Sequence, residues 1–313
     1  MSKEIEDRLS RVIIINYLVR ITKSIHLPWL RGFTFYDLLE MYVLGIIEGA
    51  ISYRAAAIAF SFFMAIFPFT LFILNLLPYI PIEGFQNDFL SFVQQSVPPT
   101  TYDAISKIIN DILNHSNSGL ISGGILMAIL LMANGVNAVL GGFENSKHVV
   151  YKRKFFNQYF ISLALSIVLS LLLLLTVTSI VIFEVIIQKT KIQDVLSEQI
   201  PLIEMGRYAF VILMILITTS LLFRFGIKHQ QKIKFISIGS VFTTILIILS
   251  SYFFGIWVIK FSKYNELYGS IGTLLVVMFY IWLNSMILLL GFDLNATINK
   301  IRREAQQKID SQQ

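Results

Sequence analysis

Six runs without a single charged side chain constrain this chain more than any other feature: Ala55 to Ile82, Leu120 to Phe143, Phe155 to Phe183, Tyr208 to Phe223, Phe235 to Ile259 and Leu267 to Phe292. A helix that crosses a bilayer needs about 20 mostly apolar residues, and lipid offers no partner to a peptide group, so the backbone must satisfy itself. The fourth run, 16 residues between Arg207 and Arg224, still crosses if both arginines snorkel or the bilayer thins locally. The chain is 14% charged and 56% hydrophobic, against about a quarter charged in soluble domains. The predicted fold is all-α, a polytopic membrane helix bundle of six transmembrane helices with interfacial amphipathic helices beside them.

Three regions follow. Residues 1–52 form an N-terminal region of cytoplasmic and interfacial amphipathic helices. Within it, residues 5–31 alternate apolar pairs with Arg8, Arg11, Arg20, Lys23 and Arg31. That pattern suits a helix lying on anionic lipid and, equally, a solvated leader. Thr34 to Ser52 keeps an apolar face despite Asp37, Glu40 and Glu48 and lacks a charge-free run of spanning length, which marks an interfacial or half-inserted helix. Residues 53–298 form the membrane domain, with spans at about 55–80, 120–143, 156–186, 205–226, 235–259 and 268–294. The acidic connection 83–119, broken by Pro98-Pro99, has apolar residues at helical spacing on both sides. It fits a pair of outer amphipathic helices, either a lid or simply packing on the spans. Residues 299–313 form a basic tail.

Charge orients the chain. With six spans and both ends inside, the inner segments hold 19 of the 25 Lys and Arg residues, as the positive-inside rule requires. The start, MSKEIEDRLS, lacks the basic and apolar regions of a secretory signal, so a cytoplasmic N-terminus is expected. The location is a plasma membrane crossed several times with both termini cytoplasmic.

Polar groups inside the runs are the candidates for a substrate path. Arg54 stands at the mouth of the first span, where it either snorkels to headgroups or neutralises an anionic group entering the bundle. Pro68 is expected to kink or break that span. Asn134 and Asn137, three residues apart on one face, either hydrogen-bond neighbouring helices or meet substrate, and the structural role is favoured. Arg224 closes the short fourth run on the basic side and is the arginine expected to turn inward. Asn284 sits in the last run, where packing against a neighbouring helix is again the favoured role.

The sequence excludes much chemistry. It contains no cysteine, hence no disulfide, thiolate nucleophile or thiolate metal site. His26, His115, His148 and His229 have no second ligand at metal-binding spacing, and the hydrolase, nucleotide and dinucleotide signatures are missing. No catalytic residue, cofactor or metal is expected, and no nucleic-acid partner, because basic loops follow from topology alone. The expected partners are membrane lipids, with anionic headgroups at the cytoplasmic face.

Several segments carry a resemblance. Tyr53-Arg54-Ala55-Ala56-Ala57-Ile58-Ala59 with Pro68, Asn134-Gly135-Val136-Asn137, Tyr268-Gly269-Ser270-Ile271-Gly272 leading to Trp282, and Gly291-Phe292-Asp293-Leu294-Asn295 together resemble the YihY/BrkB membrane family over about Gly32 to Ile298. The resemblance implies a bacterial inner-membrane protein of six spans, in a family once labelled ribonuclease BN, some members of which are discussed as transporters of lipids or envelope precursors. Many relatives have Glu where this chain has Asp293. Topology puts Tyr268 at the outer mouth and Asp293 on the same side as Arg54 and Arg224, which allows an ion pair at a cytoplasmic gate and leaves open whether they meet. The expected function is a transporter or flippase of an amphipathic anionic lipid or envelope precursor. A scaffold that moves nothing is the alternative, and a ribonuclease acting on transfer RNA comes last.

Overall fold

The computed structural model describes residues 22–24, 34–48, 50–76, 91, 118–146, 149, 153–190, 202–226, 235–261 and 270–310. The described chain is helical, without strands: α1 (Phe35–Glu48), α2 (Ile51–Leu76), α3 (Ser118–Glu144), α4 (Phe155–Thr190), α5 (Leu202–Gly226), α6 (Ile238–Phe261) and α7 (Ser270–Asp310). Four stretches are long and apolar enough to cross a membrane: Phe155–Ile187, Leu202–Gly226, Ile238–Val258 and Leu274–Ile301. The first two expected spans correspond to α2 and α3, whose described apolar portions, Ile51–Ala65 and Ile129–Glu144, are shorter than a crossing. The structure therefore supplies four candidate crossings where the apolar runs predict six. The connection 83–117 apart from residue 91, the four histidines and Tyr268 lie outside the described residues.

Two compact units are present. The first combines the N-terminal region to Ala59 with Val139–Lys154 and Thr219–Gln313, and the second combines Phe60–Ala138 with Phe155–Thr218. Local capping explains several helix ends in the first unit. Thr34 and Asp37 exchange hydrogen bonds at the start of α1: the Thr34 N–H and hydroxyl donate to Asp37 Oδ2 at 2.7 and 2.8 Å, and the Asp37 N–H donates back to Thr34 Oγ1 at 3.3 Å. This reciprocal arrangement satisfies first-turn donors that have no intrahelical acceptor. Between α1 and α2, Ala50 adopts φ 47°, a left-handed conformation that costs a residue with a Cβ roughly 1–2 kcal/mol. The Ala50 carbonyl accepts the N–H groups of Tyr53 and Arg54 at 3.1 and 3.2 Å, so the turn leads straight into the helix that carries Arg54.

The α6–α7 pair forms the tightest contact of this unit. Gly239 and Gly291 face each other so closely that a Cβ on Gly291 would lie 2.9 Å from the Gly239 carbonyl oxygen and inside Thr243 Oγ1. Small residues let helix backbones approach in this way. Ser237 and Ser240 cap the start of α6 reciprocally, at 2.9 and 3.1 Å. The Asn295 side chain reaches across from α7 to complete the cap, accepting the Gly239 N–H at 2.8 Å and donating to Ser237 Oγ at 2.7 Å. Asn295 is 5% exposed, so Asn295→Ala will strand a buried donor and cost about 1–3 kcal/mol, read as a lower unfolding midpoint in detergent.

In the second unit Asn137 joins α3 to α4. Its side-chain oxygen accepts the Ser162 hydroxyl and its backbone carbonyl accepts Gln158 Nε2, both at 3.4 Å. Gly206 on α5 lies against the Phe183 ring on α4, and Arg207 pairs with Glu184 beside it. That pair is partly exposed, a setting in which ion pairs contribute little.

Candidate functional site

The first unit buries an ion pair. Arg54, one turn into α2, directs Nη2 to Asp293 Oδ2 on α7 at 2.9 Å and Nη1 to the Gly142 carbonyl at the end of α3 at 2.8 Å. The side chains are 8% and 2% exposed. The site is assembled from three helices by simple local causes. Gly142 lets α3 come close to its neighbours, since a Cβ there would sit 2.8 Å from Ile58 Cδ1 and 3.2 Å from Leu289 Cδ2. Its carbonyl belongs to the last turn of α3, where partial negative charge favours a cation. Asp293 follows Gly291-Phe292, the point at which α7 approaches α6 most closely.

The same unit holds a cluster of three aromatic rings. Phe143 and Phe292, chain neighbours of Gly142 and Asp293, stack with centroids 4.1 Å apart and planes 7° from parallel. Phe223 of α5 meets both edge-on at 5.6 and 5.9 Å. All three rings are fully buried, so the charges act across a medium of low dielectric constant. From α1, the Tyr42 hydroxyl donates to the Leu290 carbonyl at 3.1 Å. Burial first, and the Asp293 charge second, hold the Tyr42 phenol above its ordinary range, so it stays a neutral donor.

The ion pair is half satisfied. Arg54 Nε and Asp293 Oδ1 are both buried, and neither has a hydrogen-bond partner among the described residues. Arginine–carboxylate pairs frequently form two parallel hydrogen bonds, and a buried charge repays its desolvation only when its remaining valences are filled. A guanidinium donor and a carboxylate acceptor left open in the same pair are a chemical resource: the first can bind another anion, the second a proton.

The other residues named from sequence fall elsewhere. Arg224 is exposed on α5, although its neighbour Phe223 is fully buried. Asn134 is exposed on α3, and Asn137 is engaged with α4 in the second unit. Asn284 donates to the Tyr280 carbonyl at 2.8 Å and accepts the Ser250 hydroxyl at 3.5 Å, an α6–α7 contact. The α2 helix runs through Pro68 as one element rather than ending there. Gly142, Tyr42 and the three phenylalanines were not candidates. The Gly141-Gly142 pair ahead of Phe143-Glu144 was their visible signal. Glu144, the other buried acid, accepts the Arg153 N–H at 3.3 and 3.4 Å.

Comparison with known proteins gives consistent matches. The family model described as Virulence factor BrkB matches residues 45–313. The chain is 28% identical over 254 residues to the "Putative ribonuclease-like protein YfkH" of Bacillus subtilis, covering 80% of this chain and 90% of that protein. It is 24% identical over 250 residues to a "UPF0761 membrane protein" of Coxiella burnetii, covering 78% and 86%. No solved structure matches it.

Proposed function

The chain belongs to the virulence factor BrkB family of membrane proteins, and from that premise we propose that it moves an amphipathic anionic lipid or envelope precursor across a bacterial inner membrane. In this reading α2 and α3 complete a six-span bundle, both termini are cytoplasmic, and the Arg54–Asp293 pair stands near the cytoplasmic ends of the spans. The observation that carries the reading is the open Arg54 Nε–H in a buried pair. An incoming phosphate or carboxylate takes that donor, Arg54 turns from Asp293 to the ligand, and the α2–α7 contact loosens. The apolar rings of Phe143, Phe223 and Phe292 exclude water, which makes the exchange of one anion for another worth more than it is in solution. In the same reading the exposed Arg224 attracts anionic headgroups to the protein.

Purified protein in liposomes will accelerate the crossing of a fluorescent phosphatidylglycerol, and Arg54→Ala will slow it at least about tenfold, the effect of losing 1.4 kcal/mol of binding. Wild-type protein that moves no lipid across a panel of acidic and zwitterionic species would leave a scaffold. A nuclease reading rests on the name of the Bacillus relative and on the basic loops. Cleavage of transfer RNA precursors that survives removal of soluble nucleases would replace transport with it.

A further inference from the structure

The open carboxylate oxygen points to a second ligand. We propose that Asp293 takes up one proton from the adjoining aqueous phase whenever Arg54 binds an anionic group, so that the site holds anion and proton together. This rests on the anion-binding reading of Arg54 and adds the coupling ion.

Charge balance carries the inference. At rest the pair is neutral, one guanidinium against one carboxylate, in a place where the two side chains are 8% and 2% exposed. An anion arriving at Arg54 without a proton leaves a net negative charge, with Asp293 deprived of its side-chain partner among the described residues. Both oxygens of that carboxylate then lie buried with no donor, the condition that proteins avoid by neutralising the group. One proton on Oδ1, the oxygen already free of any hydrogen bond, restores neutrality. No bond other than the new O–H is made in the carboxyl group, and the Arg54–Asp293 ion pair is the interaction that breaks.

Among the described residues the surroundings supply no competing charge. Arg54 comes from α2, and Tyr42 comes from α1, where its hydroxyl is engaged by the Leu290 carbonyl. α3 presents the Gly142 carbonyl and the Phe143 ring, and α5 presents Phe223. α6 reaches this part of α7 through Gly239, Ser237 and Thr243, all uncharged. Glu144, the other buried acid of the unit, is occupied by the Arg153 N–H. Among the described residues, Asp293 is thus the group placed to answer a change of charge at Arg54. A proton relay would need a chain of such acids; this mechanism needs one.

Calorimetric titration of the full chain in detergent with dioctanoyl phosphatidylglycerol, run in Hepes and in Tris, reads the proton count directly, because the two buffers release protons with different heats. The wild type is expected to take up about one proton per lipid and to bind about tenfold more weakly for each unit rise in pH above neutrality. Asp293→Asn, which keeps the shape and an acceptor for Arg54, is expected to bind with no proton uptake and no pH slope. Dioctanoyl phosphatidylcholine should bind, if at all, without protons. Dimethyl phosphate separates the headgroup from the acyl chains, and uptake with either acidic probe supports the coupling. Wild-type binding without proton uptake overturns the inference while leaving transport in liposomes intact. Uptake that persists in Asp293→Asn assigns the proton to another group and overturns it as well. Should the asparagine variant not fold, Asp293→Glu is expected to retain the proton, and the wild-type buffer pair decides alone. Proton-linked binding without lipid movement would uphold the site and remove the transport reading. No binding of any acidic probe would remove both.

Discussion

Arg54→Ala will destabilise the protein by about 3–5 kcal/mol, because it leaves the carboxylate of Asp293 buried without its partner. The mutant will lose lipid movement at the same time, and the two losses cannot be separated in that variant alone. The paired replacement Arg54→Met with Asp293→Leu separates them. It removes both charges from a site that is nearly closed to solvent. Exchanges of a buried ion pair for apolar residues of similar volume are neutral or stabilising in other proteins. The double variant is therefore expected to unfold near the wild-type midpoint and to move no labelled phosphatidylglycerol. Wild-type transport by the double variant would show that the pair only holds α2 against α7. A double variant as unstable as Arg54→Ala would show that the Gly142 carbonyl, and not Asp293, is the partner that matters to the fold.

The second large effect lies at the α6–α7 crossing. Gly291→Ala will disrupt the pair more than most core substitutions, since the added methyl meets Thr243 Oγ1 and stands 2.9 Å from the Gly239 carbonyl and 3.1 Å from Thr243 Cβ. Two of the three obstacles belong to one short side chain and the third is backbone, so no flexible group can swing aside. Overpacking of this kind costs about 1–3 kcal/mol, and more where backbone must shift. Moving α7 away from α6 also stretches the Asn295 bonds to Gly239 and Ser237, which puts the effect at the upper end or beyond. Gly291→Ala combined with Thr243→Gly removes the side-chain collisions and is expected to recover part of the loss, as read by unfolding in mixed micelles. Full tolerance of Gly291→Ala alone would mean that the two helices do not approach as described.

Much of the architecture was legible in the sequence because lipid imposes a coarse rule: uncharged runs become helices. Helix ends were less legible because they are set by local capping. The fifth run begins at Phe235, but α6 begins at Ile238, after the Ser237–Ser240 cap. The tail expected to begin near residue 299 is continuous with α7, which runs to Asp310. Charge-free length counts six crossings, and among the described residues four helices are long and apolar enough to make one.

The site was legible in part. Arg54 and Asp293 were visible as charges at the edges of apolar runs, since lipid makes any such charge conspicuous. Arg224 was equally conspicuous and is exposed instead, because sequence shows where a charge lies along a helix but not which face it takes in the packed unit. The Arg207–Glu184 pair went unread for the same reason, its partners being 23 residues apart on different helices. Gly142 and Gly239 looked like ordinary small residues. Their roles, an accessible carbonyl and a close backbone approach, appear only when a second helix is laid against them.

The first unit also has a temporal side. Arg54 and Asp293 are 239 residues apart in the chain, Trp282 and Ser52 are 230, and Tyr42 and Leu290 are 248. At about 5–20 residues per second, a ribosome needs on the order of ten to fifty seconds between delivering the arginine and delivering its carboxylate. Through that interval Arg54 waits for the carboxylate it meets in the folded unit, so closure of the unit cannot precede the synthesis of α7.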